Sequence, residues 1–395
     1  SAAAAASAGA AAPASCADPW CDRTTAQASA ATKAREQQRE DRMPGGYRAG
    51  GAGWNPGEGR RPSAAMAAGA TGTVGGMSIA AEARSHLDAL PSAAGRRAVV
   101  TGGNTGLGLE TARFLAYKGA AVVIAARDPS KGEQARASVL ADVPGADVEV
   151  VRLDLASLAS VAECAARLAE APLDVVVCNA GIMALDRDTT ADGFEAQLGV
   201  NHLGHFALVG HLFRRLVATP GARVVAVTSS AAYLGRIDFD DLMAERGYDR
   251  WRAYNQSKLA NVLFVRALAR RFAAAGGGAT AHAAHPGLVF TQLQRRLLAT
   301  AEDLHWRDRL FLGRIIPTLG QGVQMGALPQ VYAALSERAG NGDLWAPRWF
   351  ARGRPVRAWN PRAALDVAVQ ERLWAASEEL TGVGYAPAAE GEVAR

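Results

Sequence analysis

From about residue 95 onward the apolar positions of this chain alternate between two registers. Short, nearly unbroken runs of Val, Ile and Ala occupy 97–100, 120–126, 148–153, 175–178, 223–228 and 280–285. Runs of that length and composition predict strands buried on both faces. Between them the apolar residues recur at helical spacing. In 107–118 the stripe is Leu109, Ala112, Phe114 and Leu115, and helices are predicted also over 158–168, 194–217, 254–274 and 364–380. A strand, a glycine turn, a helix and a second strand make a βαβ unit, and its repetition predicts an α/β doubly wound parallel sheet of the Rossmann type. No repeat of fixed period interrupts it.

The alternation lapses twice. Residues 292–330 mix apolar and basic positions with Pro317 and several glycines, which suits a lid or a substrate-binding insertion. Leu293, Leu297, Leu298, Phe311, Leu312, Ile315 and Ile316 there would line an apolar pocket, or serve as ordinary core. Residues 1–77 lack alternation altogether. They are Ala, Gly, Ser and Arg with few large aliphatics, too little apolar surface to fold alone. The domain reading is therefore a low-complexity extension over 1–77 and a single Rossmann-fold domain over 78–395. The stretch 24–43 could form a polar helix. The extension reads equally as targeting sequence, as a disordered segment or as a gene start set too far upstream. A transit peptide would take the chain to a plastid or mitochondrion, although Asp18, Asp22, Glu36, Glu40 and Asp41 are unusual in one; otherwise it stays cytoplasmic.

Composition narrows the function classes. The chain has 395 residues, 49% of them hydrophobic, and a net charge of +5 that no segment concentrates. That argues against nucleic acid as a partner. No run of about eighteen apolar residues occurs without charge or proline, so no membrane-spanning segment is expected. The cysteines Cys16, Cys21, Cys164 and Cys178 lack paired metal-ligand spacing, and reduced thiols are expected. His202 with His205, and His282 with His285, find no third ligand at a recognisable spacing, so no metal site is expected.

The chemistry is concentrated in a few short stretches. Thr101-Gly-Gly-Asn-Thr-Gly-Leu-Gly108 follows a strand and opens a helix. Gly102, Gly106 and Gly108 let the chain turn tightly and bring backbone N–H groups close to a pyrophosphate. Tyr254 and Lys258 are spaced to share one helix face, where an ammonium can lower a phenol pKa. Further pieces are Ala126-Arg127-Asp128, Cys178-Asn-Ala-Gly181, Asn201-His-Leu-Gly-His-Phe206, Ser229-Ser230, Tyr254-Asn-Gln-Ser-Lys-Leu-Ala-Asn261 and His285-Pro-Gly287.

In this order, over about 96–385, these pieces resemble the short-chain dehydrogenase/reductase superfamily, and within it the retinol dehydrogenase and WW-domain oxidoreductase group. The insert Ile237-Asp-Phe-Asp-Asp-Leu242 between serine and tyrosine is similar to that group's. The resemblance implies catalysis by Ser230, Tyr254, Lys258 and Asn201: Tyr254 as general acid or base, Lys258 beside it and on the nicotinamide ribose, Ser230 on the substrate oxygen, with Ser229 as the alternative, and Asn201 kinking its helix and positioning a water. It implies cofactor contacts from Gly102, Asn104, Gly106, Leu107, Gly108, Arg127, Asp154, Asn179, Ala180, Gly181, Tyr254, Lys258, Pro286, Gly287 and Thr291. Arg127, where an acid would select NAD, points to NADP(H); its alternative is an ion pair with Asp128 or Asp154. Asp154 could also be only a helix N-terminal residue.

The function expected is hydride transfer between NADP(H) and a hydrophobic carbonyl or alcohol, a retinoid or lipid-like aldehyde or ketone. Two alternatives stand beside it: light-dependent protochlorophyllide reduction, and a non-catalytic NADP(H)-binding sensor or scaffold. A homodimer through the helix at Tyr254 is one use of its amphipathicity, packing on the sheet the other. Cys178 is expected to pack in the core, as are Trp345, Trp349 and Trp359 in preference to stacking on substrate.

Overall fold

The computed structural model describes residues 79–300 and 304–385. The 1–77 extension, its polar helix and Cys16 and Cys21 lie outside the described residues.

Eight strands form one sheet in the order β3-β2-β1-β4-β5-β6-β7-β8. The first six are β1 (Arg97–Thr101), β2 (Ala121–Ala126), β3 (Val148–Arg152), β4 (Val175–Cys178), β5 (Arg223–Val227) and β6 (Thr280–Ala284), each within a residue or so of the apolar runs. They pair in parallel throughout. Two short strands escape the hydropathy pattern. β7 (Leu344–Pro347) continues the parallel sheet beside β6, and β8 (Pro355–Ala358) turns back antiparallel along its edge. Each has only four residues, too few to stand out as a run.

Helices cover both faces, as parallel strands require. On one side lie α1 (Ala81–Asp88), α2 (Gly106–Tyr117) and α3 (Pro129–Asp142). On the other lie α4 (Leu158–Leu168), α5 (Gly204–Ala218) and α6 (Arg250–Ala275). After β6 come α7 (Gln292–Thr300), a helical stretch over 306–319, and α8 (Val323–Leu335), which packs on the α2 side. The chain closes with α9 (Val367–Thr381) against α6. The lapse expected over 292–330 thus ends at a regular helix, hidden from sequence by Pro329 in its interior. Side-chain hydroxyls and carboxylates set the helix starts: Asp128 accepts from Ser130 and Lys131 N–H, Ser157 from Ser160, Asp249 from Arg252, and Asp366 from Ala368 and Val369. Because Asp249 caps α6, that helix begins a turn before Tyr254.

The helix expected over 194–217 is not uniform. A short turn, Ala196–Leu198, runs into a π turn, Gly199–Leu203, before α5. Such a widened turn releases backbone carbonyls from the regular ladder and often marks a site. Cys164 and Cys178 are buried thiols whose pKa values burial pushes up to about 11 and about 12. No described helix is long and apolar enough to cross a membrane.

Candidate active site

The expected residues converge at the carboxyl ends of β1, β4, β5 and β6. The turn after β1 is built on glycines for steric reasons. Gly102 has φ +63°, and a Cβ there would meet Ala180 Cα at 3.0 Å; a Cβ on Gly108 would come within 2.3 Å of Gly102 O. Gly106 has φ +56°. Thr105, ahead of α2, makes no side-chain cap bond, and the first turn carries no acid. The helix therefore presents free N–H donors and a positive dipole end beside a cradle that any Cβ would fill, which fits a dinucleotide pyrophosphate. Asn104 and Leu107 are half-buried in this turn.

Thr101 holds the neighbouring loop. Its hydroxyl accepts from Asn179 N–H at 2.9 Å and Ala180 N–H at 3.0 Å, while Asn179 Nδ2 donates to Thr101 O at 2.9 Å. The same hydroxyl lies 2.8 Å from His205 Nε2. His205 Nδ1 faces the Asn201 carbonyl at 3.1 Å. A carbonyl only accepts, so the proton sits on Nδ1 and Nε2 accepts from Thr101. Burial pulls the His205 pKa down to about 4, keeping the ring neutral. The histidines once weighed as ligands are thus a rivet between the glycine loop and the π turn. His202 is similarly internal, bonded to Ser377 at 2.9 Å. Among the described residues no cluster of His, Cys, Asp and Glu could hold a metal.

Asn201 is fully buried in the π turn. Its side chain brackets Ile182, accepting from the N–H at 2.8 Å and donating to the carbonyl at 3.0 Å. A Cβ on Gly181 would lie 2.8 Å from Asn201 Oδ1 and 3.3 Å from Lys258 Nζ. Only glycine leaves room where these side chains and the β4 end meet.

Tyr254 and Lys258 lie buried one turn apart on α6. Lys258 Nζ donates to Val227 O at 3.3 Å and lies 5.8 Å from the Tyr254 ring centroid. Against the lowering expected from the ammonium, burial dominates the phenol and pushes Tyr254 up to about 12. Burial also pulls Lys258 down to about 8.

The two serines are placed differently. Of the two serines, Ser229, the alternative, is the one whose side chain offsets part of the burial-driven rise in Tyr254. Ser229 is extended at the end of β5 and caps the 3₁₀ turn Ser230–Leu234, accepting from Ala231 N–H at 3.2 Å. Ser230 is already inside that turn. Two adjacent serines look alike in sequence; the turn separates them.

Arg127, at the end of β2, is exposed and makes no ion pair among the described residues. Asp128 is occupied in capping α3 and in a 3.6 Å contact with Lys131. Asp154 accepts from Ala156 N–H, and the α4 cap is Ser157. Pro286 and Gly287 close the other flank: Gln321 Nε2 donates to Pro286 O at 2.8 Å, and a Cβ on Gly287, at φ +75°, would lie 2.4 Å from Ala351 O. Thr291 donates to Gln294 Oε1 at 2.6 Å.

Above Tyr254 is an apolar cluster of Met183, Leu297, Leu304, Leu312 and Ile316, with Trp251 and Leu298 half-buried beside it. Three of the expected pocket residues, Leu297, Leu312 and Ile316, are in it; Phe311 faces solvent. The Leu293 side chain lies outside the described residues. Of the three tryptophans expected to pack, Trp345 does, 5.7 Å from the Tyr332 ring, but Trp349 and Trp359 are 69% and 89% exposed. The β7–β8 hairpin lifts them off the core.

The family model described as short chain dehydrogenase matches residues 96–302. Retinol dehydrogenase 12 of Homo sapiens is 40% identical over 293 residues, covering 74% of this chain and 88% of that protein. Polyprenol dehydrogenase of Mus musculus is 39% identical over 305 residues, covering 75% and 86%. A crystal structure of an uncharacterized protein from Mycobacterium Paratuberculosis superposes with a TM-score of 0.62 at 39% identity, over 76% of this chain and 98% of that one.

Proposed function

The chain belongs to the short-chain dehydrogenase family, which makes it a nicotinamide-dependent alcohol/carbonyl oxidoreductase; from that premise we propose that it uses NADP(H) to interconvert a hydrophobic carbonyl compound and its alcohol, with Tyr254 as the proton donor and acceptor. The observation that carries this reading is a buried tyrosine, with Ser229 acting on its hydroxyl, packed against an apolar cluster.

The turn of Gly102, Gly106 and Gly108 would hold the cofactor's pyrophosphate, and the nicotinamide would supply the hydride for the carbonyl carbon. The chain's own residues do the rest. Tyr254, protonated far above neutral pH, gives its proton to the substrate oxygen, and Ser229 shares the developing charge. Lys258, neutralised near pH 8, restores the proton more readily than an ordinary lysine would. Asn201, locked to Ile182, fixes the β4 end against Lys258. Arg127, free of a carboxylate, suits the 2′-phosphate. Met183, Leu297 and Leu312 exclude water from the transfer. The names retinol dehydrogenase and polyprenol dehydrogenase support a long apolar substrate of alcohol or aldehyde character.

The test is NADPH consumption by the purified chain and its Tyr254→Phe variant against retinal, decanal, an aromatic ketone and a small diketone. Turnover with the apolar carbonyls should fall at least about 10²-fold in the variant, with NADPH still bound. Turnover confined to the small diketone would refute the substrate class. Equal turnover by the variant would refute the role of Tyr254.

A further inference from the structure

Among the described residues, no large hydrophobic side chain before Tyr233 is exposed. Exposed ones then appear together. Tyr233 and Leu234 lie in the turn after β5, Trp306 and Phe311 in the helical stretch after β6, and Trp349 and Phe350 at the tip after β7. These three strands are sheet neighbours, and all three segments leave their carboxyl ends. With Leu310 and Leu319 of the same helical stretch, eight of the eleven large apolar residues exposed among the described residues are therefore gathered at the end of the molecule that carries Tyr254; Trp359, Leu365 and Val367 follow β8.

Among the described residues the charge of that end is mostly basic. The hairpin tip exposes Arg348, Arg352 and Arg354, and residues 344–365 contain no acid. The stretch after β6 adds exposed Arg307 and Arg314, while Asp308 is engaged by the Trp251 indole at 3.3 Å. The tip is firmly held. Phe350 keeps φ +60°, a conformation aromatic residues rarely adopt, with its N–H bonded to Pro347 O at 2.9 Å. Leu288 N–H donates to Ala351 O at 2.8 Å, and Gly353 N–H to Gln321 Oε1 at 2.9 Å.

We propose that this face docks on the surface of an anionic phospholipid bilayer, its tryptophans in the interfacial layer and its arginines on headgroup phosphates. Aromatic rings interleaved with arginines match that environment. A second copy is the poorer occupant, because a two-fold contact would set arginine against arginine. The apolar cluster beside Tyr254 then lies at the lipid-facing end, where substrate would enter, a corollary that rests on the substrate class proposed above; the docking itself does not.

The experiment is sedimentation of the full chain with vesicles of phosphatidylcholine alone or mixed with phosphatidylserine. Binding to the mixed vesicles alone, weakened by salt, is expected. Trp306→Ser combined with Trp349→Ser should lower partitioning about tenfold or more, as should Arg348→Gln, Arg352→Gln and Arg354→Gln together, with thermal stability unchanged. If the variants bind as tightly as the parent, another surface is responsible and the proposal fails. It fails also if the parent stays in the supernatant, whether light scattering then shows a monomer, a dimer or a face covered by residues 1–78. None of these readouts needs turnover, so failure here is separable from failure of the reductase reading.

Discussion

Replacing Lys258 with methionine should make the protein more stable while abolishing turnover. Lys258 is almost wholly buried, and burial brings its pKa from 10.5 to about 8. At about 1.4 kcal/mol per pH unit, that gap corresponds to roughly 3 kcal/mol of destabilisation wherever the folded protein must carry the charge. Methionine has similar length and no charge. It forfeits the bond to Val227 O, worth about 1 kcal/mol, but leaves no orphan, because Asn261 Nδ2 still donates to that carbonyl at 3.0 Å. The net gain is roughly 2 kcal/mol, or about 4 °C in Tm for a domain of this size.

The pH dependence fixes the sign. The folded-state pKa lies below the unfolded one, so the native state binds fewer protons between about 8 and 10.5 and its stability climbs across that window. The variant's advantage is full below about pH 8 and gone by about 10.5. Thermal melts of both proteins at neutral and alkaline pH measure it. A variant no more stable at neutral pH, or an advantage that persists above 10.5, would refute the reasoning.

Ser229→Ala should lower kcat about 10²-fold and Ser230→Ala by little, which steady-state kinetics of both variants will show. Arg127→Glu should raise the KM for NADPH well above that for NADH, because the free cation at the β2 end is replaced by a carboxylate. Thr101→Val would strand the Ala180 N–H and leave His205 Nε2 with no donor, while Asn179 N–H keeps Val177 O at 2.9 Å. Urea denaturation should show a loss of roughly 1–3 kcal/mol, accompanied by weaker NADPH binding; Thr101→Ser should restore both.

The six parallel strands were legible because residues buried on both faces must be apolar without a break, and Val175–Cys178 or Leu158–Leu168 could be placed to the residue. The glycine loop and the Tyr254–Lys258 pair were legible because their spacing is itself the chemistry. What could not be read depended on contacts between distant segments. Ser229 and Ser230 separate only when the turn after β5 is built. Thr101 and His205 become a unit only when β1 and the start of α5 meet, and the kink at 199–203 was announced only by the family resemblance of Asn201, not by the hydropathy pattern. Strands β7 and β8 have four residues each, too few to stand out as runs. Trp349 and Trp359 are apolar residues that solvent faces, so no burial rule could place them.

The last described residue reaches far back along the chain. The Tyr385 hydroxyl donates to Phe206 O at 2.6 Å, its ring packs 4.9 Å from Phe206, and a Cβ on Gly210 would meet it at 2.9 Å. Phe206 and Gly210 belong to α5, near the middle of the sequence, whose outer face stays open until Tyr385 arrives. Synthesis runs from the N-terminus, so the ribosome completes every strand of the sheet before it releases the residue that seals α5. A nascent chain halted at α9 would carry a finished cofactor cradle and an unsealed apolar groove, which is the surface a chaperone recognises.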